Sequence, residues 1–168
     1  MMFHKWFSVC LALVMSGKGS ASEDPGRTQI GLISVTVYHA TDTAPKKSAA
    51  KIPPVSKEVV DRLRGEEHLR FKHYTLLGKD TQPLMRSYES WGQPLKPSDE
   101  VLVRFEAQGR PTKKTAVLDL ELWLGRKKIL KTDARLEGGK PLFVLGPEYR
   151  GGYLIIAVAL APEAKTAP

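Results

Sequence analysis

Three histidines beyond the N-terminal region could serve as metal ligands or general bases, namely His39, His68 and His73. His68 and His73 are five residues apart, an odd spacing that turns them to opposite faces if both lie on one strand. Zinc needs three or four ligands in a defined geometry, and neither HExxH nor paired CxxC spacing occurs in the chain. The sequence therefore predicts no metal site and no cofactor.

A carboxylate pair, Asp119 and Glu121, is the second candidate for chemistry. Two residues apart on a predicted strand, these side chains share a face, with Cα atoms roughly 6.5–7 Å apart. Such pairs hydrolyse sugars in some enzymes, but Lys127, Lys128 and Lys131 on the next predicted strand offer cross-strand counter-charges instead. No serine lies in a GxSxG motif. We therefore predict that the protein is not an enzyme; a small secreted hydrolase, with a triad assembled from distant residues, is the least favoured alternative.

Aromatic and basic residues favour binding over catalysis. Trp91 falls near a predicted turn, and Tyr149 and Arg150 lie in the glycine-rich segment 146–152. Trp, Tyr and Arg supply much of the binding energy at protein interfaces, so these three are our candidate binding residues. A candidate basic patch, second in order, consists of Arg126, Lys127, Lys128 and Lys131.

The basic patch is open to more than one interpretation. The chain has 26 Lys and Arg against 18 Asp and Glu, a formal net charge of +8. Nucleic acid is one partner of such surfaces, but an exported protein seldom meets it, and we expect none here. An anionic polysaccharide or surface suits the compartment better. The residues could equally form a lysine-rich strand edge that discourages aggregation.

The N-terminal residues have the pattern of a secretory signal peptide. Lys5 precedes an apolar run over residues 6–15, and small residues dominate 16–22. We expect cleavage near Ala21 and export to the periplasm or the exterior. Removal of Lys5, Lys18 and Cys10 leaves a cysteine-free, basic mature chain with its charge lowered from +8 to +6. The apolar run is too short to span a bilayer, and we predict no membrane span.

The remaining pattern is rich in β-structure. Period-two alternation and β-branched residues predict about eight strands, over residues 32–38, 68–74, 84–88, 101–107, 117–124, 127–132, 142–145 and 153–160. One short helix is predicted to begin after Ser56, which can cap it, and to end near Gly65. Trp123 shares the face of Asp119 and Glu121, so it is either exposed or covered by this helix.

These elements predict a mainly β fold, an antiparallel two-layer β-sandwich (immunoglobulin-like or jelly-roll-like) with one short α-helix. A small closed barrel is the alternative. We assign a signal peptide to residues 1–21, a flexible mature N-terminus to 22–31, a single β-sandwich domain to 32–161 and a disordered tail to 162–168.

The functional prediction is an exported, non-catalytic binding or accessory module for another envelope or secreted protein. A module that binds carbohydrate or another anionic polymer is the alternative. Steep salt dependence would distinguish binding through the basic patch from apolar docking.

Overall fold

The computed structural model describes residues 24–44, 54–109, 112 and 114–162. The expected signal peptide with its cleavage site near Ala21 lies outside these residues, as do residues 22–23, the loop segment 45–53 and residues 163–168 of the expected tail.

In the described part of the chain, eight antiparallel strands form two sheets of four. In chain order the strands are β1 (Gln29–Thr41), β2 (His73–Met85), β3 (Ser90–Gly92), β4 (Val101–Gln108), β5 (Thr115–Leu124), β6 (Lys127–Glu137), β7 (Leu142–Tyr149) and β8 (Gly152–Leu160). The strand order is β2-β1-β8-β7 in the first sheet and β3-β4-β5-β6 in the second. The described residues also contain one α-helix, α1 (Lys57–Gly65), and two 3-10 turns. The predicted fold class, a β-sandwich with one short helix, is confirmed.

The main core lies between the two sheets and follows the period-two pattern of the sequence. Alternate residues of β1, Ile33, Val35 and Val37, are fully buried and face Phe105 and Leu120 of the second sheet. The intervening residues of each strand point to the outer face of their sheet, because successive residues of a strand point to opposite faces.

Helix α1 covers part of the outer face of the first sheet. Ser56 caps it, because its Oγ accepts a hydrogen bond from the Val59 amide. Leu63 is completely buried in a second apolar cluster with Tyr38 and Ile155 of the sheet. The helix therefore packs on the outer face of the first sheet and not on that of the second.

Two predicted strands differ from those observed. The strand predicted from His68 begins at His73, because residues 67–69 form a 3-10 turn that buries Leu69 beneath α1. His68 and His73 therefore do not share a strand. The separate strand predicted over 84–88 is also wrong: β2 runs without a break to Met85, and the next strand contains Trp91, which sequence reasoning placed near a turn.

Within the described ranges, α1 and the two 3-10 turns lack the length and apolar character that a membrane-crossing helix requires.

Candidate functional site

The outer surface of the β3-β4-β5-β6 sheet carries charged and aromatic side chains. Strand alternation that buries Val103 and Phe105 of β4 turns Arg104 outward, and the same alternation in β5 turns Glu121 and Trp123 outward. We call this surface the indole face. Its residues are Glu89, Trp91, Arg104, Glu106, Asp119, Glu121, Trp123, Lys128 and Lys131.

Arg104 lies at the centre of the indole face among four carboxylates. Its guanidinium donates to Glu89 at 2.5 Å, to Glu106 at 3.0 Å and to Asp119 at 3.2 Å, and it lies 3.8 Å from Glu121. The hydrogen bond with Glu89 raises the pKa of Arg104 and lowers the pKa of Glu89. The planar guanidinium suits several carboxylates at once, so a single side chain joins β4, β5 and the segment before β3.

Glu121 is the most buried charge on this face, only 5% exposed. Its Oε1 accepts a hydrogen bond from Lys128 Nζ at 2.9 Å and lies 3.4 Å from Lys131 Nζ, which also pairs with Asp119 at 3.3 Å. The bond from Lys128 lowers the pKa of Glu121, and Asp119 raises the pKa of Lys131. With four carboxylates and three cations, the indole face has a formal charge of −1 on a basic protein.

One oxygen of this network is unsatisfied. Asp119 Oδ1 is buried and has no hydrogen-bond partner among the described residues, whereas its Oδ2 accepts from Arg104 and lies within ion-pair distance of Lys131. A buried acceptor without a donor costs free energy, so this carboxylate has unused capacity for a hydrogen bond.

The two indoles lie side by side at one end of the network. The ring centroids of Trp91 and Trp123 are 6.1 Å apart and the planes are inclined at 51°. Trp91 Nε1 donates to Glu89 at 3.1 Å, and Trp123 Nε1 donates to Glu121 at 3.0 Å. Lys128 Nζ lies 5.2 Å from the Trp123 ring centroid. Both rings are thus held in place by the ion network, and Trp91 is 39% exposed.

The other two candidate binding residues belong to the first sheet. Tyr149 ends β7; its ring meets His39 edge-on with centroids 6.1 Å apart, and its carbonyl lies 2.9 Å from His39 Nε2. Arg150 follows in the turn with a φ of +48° and stacks its guanidinium 4.9 Å from the Tyr149 ring centroid. The structure therefore divides the three predicted binding residues between two sheets, with Trp91 on the indole face.

The predicted basic patch is divided too. Gly125 and Arg126 both have positive φ, 50° and 68°, as a type I′ hairpin turn requires, and Lys127 begins β6. Lys128 and Lys131 are paired with carboxylates of β5, as the cross-strand reasoning predicted. Half of the patch therefore belongs to the mixed-charge indole face.

Sequence reasoning placed Trp123 at either an exposed or a helix-covered position, and the structure shows a sheet surface that α1 does not cover. It missed Arg104 and Glu89 as site residues. The signal for Arg104 was present, since alternation in β4 already turned it away from the core. The signal for Glu89 was not, because its position depends on β3 pairing with β4.

The electrostatics of the indole face do not favour Glu121 as a general acid. A general acid at neutral pH needs a raised pKa, whereas the pKa of Glu121 is lowered by Lys128. Within the described ranges, no three or more His, Cys, Asp or Glu residues are placed to hold a metal ion.

The fold and this face together define a two-sheet β-sandwich with one aromatic, charge-networked surface. Comparisons with protein-family models, curated proteins and solved structures found no match.

Proposed function

We propose that the protein is an exported, non-catalytic binding module that docks another protein through the indole face. The observation that carries this proposal is the pair of indoles, fixed by hydrogen bonds and partly exposed beside Arg104. Trp and Arg are the residues most enriched at the energetic centres of protein interfaces. Side chains that are already ordered lose little conformational entropy on binding.

The shape and charge of the face also favour a protein partner. It is the outer surface of a four-stranded sheet, whereas small ligands are usually enclosed in a cleft or cavity. Its charges alternate in sign across β4, β5 and β6. Mixed charges arranged in this way select a complementary partner and its orientation.

The anionic-polymer alternative has less support. Lys128 and Lys131, two of the four residues predicted to attract an anion, are held by Glu121 and Asp119. The nine residues of the indole face sum to a formal charge of −1, so they do not form a positive patch for a polyanion.

The absence of catalysis and the export of the chain are parts of the same proposal. Asp119 and Glu121, the carboxylates first considered as an acid pair, are both ion-paired, which suits a fixed surface. Export is supported by the signal-peptide pattern of residues 1–22. Mass spectrometry of the protein from its own cells tests it: a mature chain that begins near Ser22 supports export, and an intact Met1 or Met2 contradicts it.

The docking proposal is tested by cross-linked affinity capture from the native cells, followed by titration of the captured partner. Trp123→Ala and Trp91→Ala should each weaken binding about thirtyfold, the loss of a hot-spot side chain of about 2 kcal/mol. Ile129→Ala is the matched control, because Ile129 is an exposed apolar residue, 41% exposed, that lies outside the indole face.

The outcomes separate the alternatives. Loss of one reproducible protein partner with both Trp variants, but not with Ile129→Ala, supports the proposal. Equal capture by all variants contradicts it. Retention on polysaccharide with no protein partner also contradicts it. A steep loss of that retention with added salt would support the anionic-polymer hypothesis instead.

A further inference from the structure

A groove of about 530 Å³ lies on the outer face of the first sheet, beside α1 and away from the indole face. Its floor is formed by two cross-strand pairs of small residues, Ser34 with Ala159 and Thr36 with Ala157, on the two central strands. Where the same strands carry Tyr38 and its partner Ile155, α1 covers the sheet. The groove thus exists because the side chains become small just beyond the helix.

The walls of the groove differ in chemistry. Strand register aligns Lys79 of β2, Thr36 of β1, Ala157 of β8 and Phe143 of β7 in one row across the sheet. Residues paired directly across antiparallel strands point to the same face. The row spans three strand spacings, roughly 14 Å, with a cation at one end and an aromatic ring at the other.

The remaining walls are mostly apolar. Val59 of α1 closes one end of the groove. Gly138, Gly139 and Pro141, which lie between β6 and β7, form a rim. Arg62 ties the helix to that rim by donating to the Gly139 carbonyl at 3.0 Å. Because a side chain of α1 holds the rim, the groove has a defined shape at this end.

Two polar groups on the β1–β2 side have unused hydrogen-bonding capacity. Ser34 is only 8% exposed and lines the groove, yet its hydroxyl makes no hydrogen bond to another described residue. Lys79, which also lines the groove, makes no ion pair within the described part of the chain. Lys79 is exposed, so its ammonium is open to a ligand from solvent. With the Ser34 hydroxyl near it at one side of an apolar floor, it is complementary to a ligand that has anionic oxygens and a hydrocarbon part.

We propose that this groove binds a small amphiphilic carboxylate, with its anionic end at Lys79 and Ser34 and its hydrocarbon part against Ala157, Ala159 and Phe143. A charge-assisted hydrogen bond from the ammonium and one from the hydroxyl would hold the carboxylate. The volume is within the range of small-ligand sites. This site is on the opposite sheet from the indole face, so its test is independent of the docking proposal.

The test uses the isotopically labelled protein, with octanoate and the uncharged 1-octanol as probes, each titrated while backbone amide NMR signals are followed. Octanoate should shift the amides of Ser34, Thr36, Ala157 and Ala159. Lys79→Ala should weaken octanoate binding about tenfold and leave octanol binding unchanged, since only the charged end is lost. Lys127→Ala, an exposed lysine outside the groove, is the matched control and should change neither.

A second variant tests the apolar half. Ala159 is half-buried on the floor, so Ala159→Leu fills the groove without entering the main core and should abolish binding of both probes. Octanoate shifts confined to other surfaces, or octanoate affinity unchanged by Lys79→Ala, would overturn the proposal. Inorganic phosphate that reproduces the octanoate shifts with equal affinity would also overturn it, because the groove would then recognise an anion alone.

Discussion

Replacement of Arg104 by methionine tests whether the ion network of the indole face contributes to stability. The substitution keeps an apolar stem of similar length and removes the cation that four carboxylates share. Lys128 and Lys131 stay in place, so the formal charge of the face changes from −1 to −2.

The size of the effect depends on how buried the partners are. Exposed ion pairs contribute about 0–1 kcal/mol, whereas breaking a buried pair costs about 3–5 kcal/mol. The side chains of Glu89 and Glu106 are 48% and 38% exposed, so their pairs with Arg104 lie near the exposed limit. The side chains of Asp119 and Glu121 are only 17% and 6% exposed, so their pairs lie nearer the buried limit. After discounting for solvent around the first two, we expect Arg104→Met to lower the free energy of unfolding by about 2–3 kcal/mol at pH 7.

The sign of the pH dependence follows from the carboxylates. The fold lowers the pKa of Glu89 and of Glu121, so their stabilisation is present above the unfolded pKa, about 4.3, and is lost as pH falls through the folded pKa. The cost of Arg104→Met should therefore shrink as the pH falls toward about 2, because Glu89 and Glu121 take up protons.

The assay is urea unfolding followed by far-ultraviolet circular dichroism, since urea adds no salt that would screen the charges. Arg135→Met, which removes an exposed cation of β6 that has no ion pair among the described residues, should change stability by less than about 0.5 kcal/mol. A cost for Arg104→Met no larger than that of Arg135→Met, or one that persists unchanged at low pH, would refute the electrostatic reasoning.

Two further predictions concern single positions. Gly78→Ala should lower the free energy of unfolding by at least about 2 kcal/mol, because a Cβ there would collide with the Pro94 backbone carbonyl; Gly65→Ala, at the end of α1 with no described atom within 4 Å of the new Cβ, should instead raise it by about 0.5–1 kcal/mol. Thermal unfolding of both variants checks the pair. A midpoint for Gly78→Ala no lower than that of the parent would contradict the clash, and a lowered midpoint for Gly65→Ala would contradict the helix-propensity argument. Glu121→Gln should be less stable than the parent at pH 7 and lose less stability between about pH 5 and pH 2, because the lowered pKa that Lys128 gives Glu121 is gone. Urea midpoints across that range measure it, and parallel curves for parent and variant would contradict it.

Local pattern was sufficient for much of the fold. Alternation identified Val103, Phe105 and Leu120 as core residues, and Ser56 with Gly65 defined the helix. The pattern failed around Leu69. Its burial fitted the period-two alternation of a strand, but the residue belongs to a 3-10 turn. Periodicity reports which side chains are buried, and a turn packed beneath a helix can bury a residue as well as a strand does.

For the candidate site, the sequence by itself determined the residue types and the faces they share: Asp119, Glu121 and Trp123 must point the same way on one strand, with lysines opposite. Only the tertiary structure decided that Trp91 lies against Trp123 and that Arg104 joins four carboxylates. The reason is physical. Faces within a strand follow from backbone geometry alone, whereas strand order, and the choice of which sheet the helix covers, depend on long-range packing between segments that are distant in the chain.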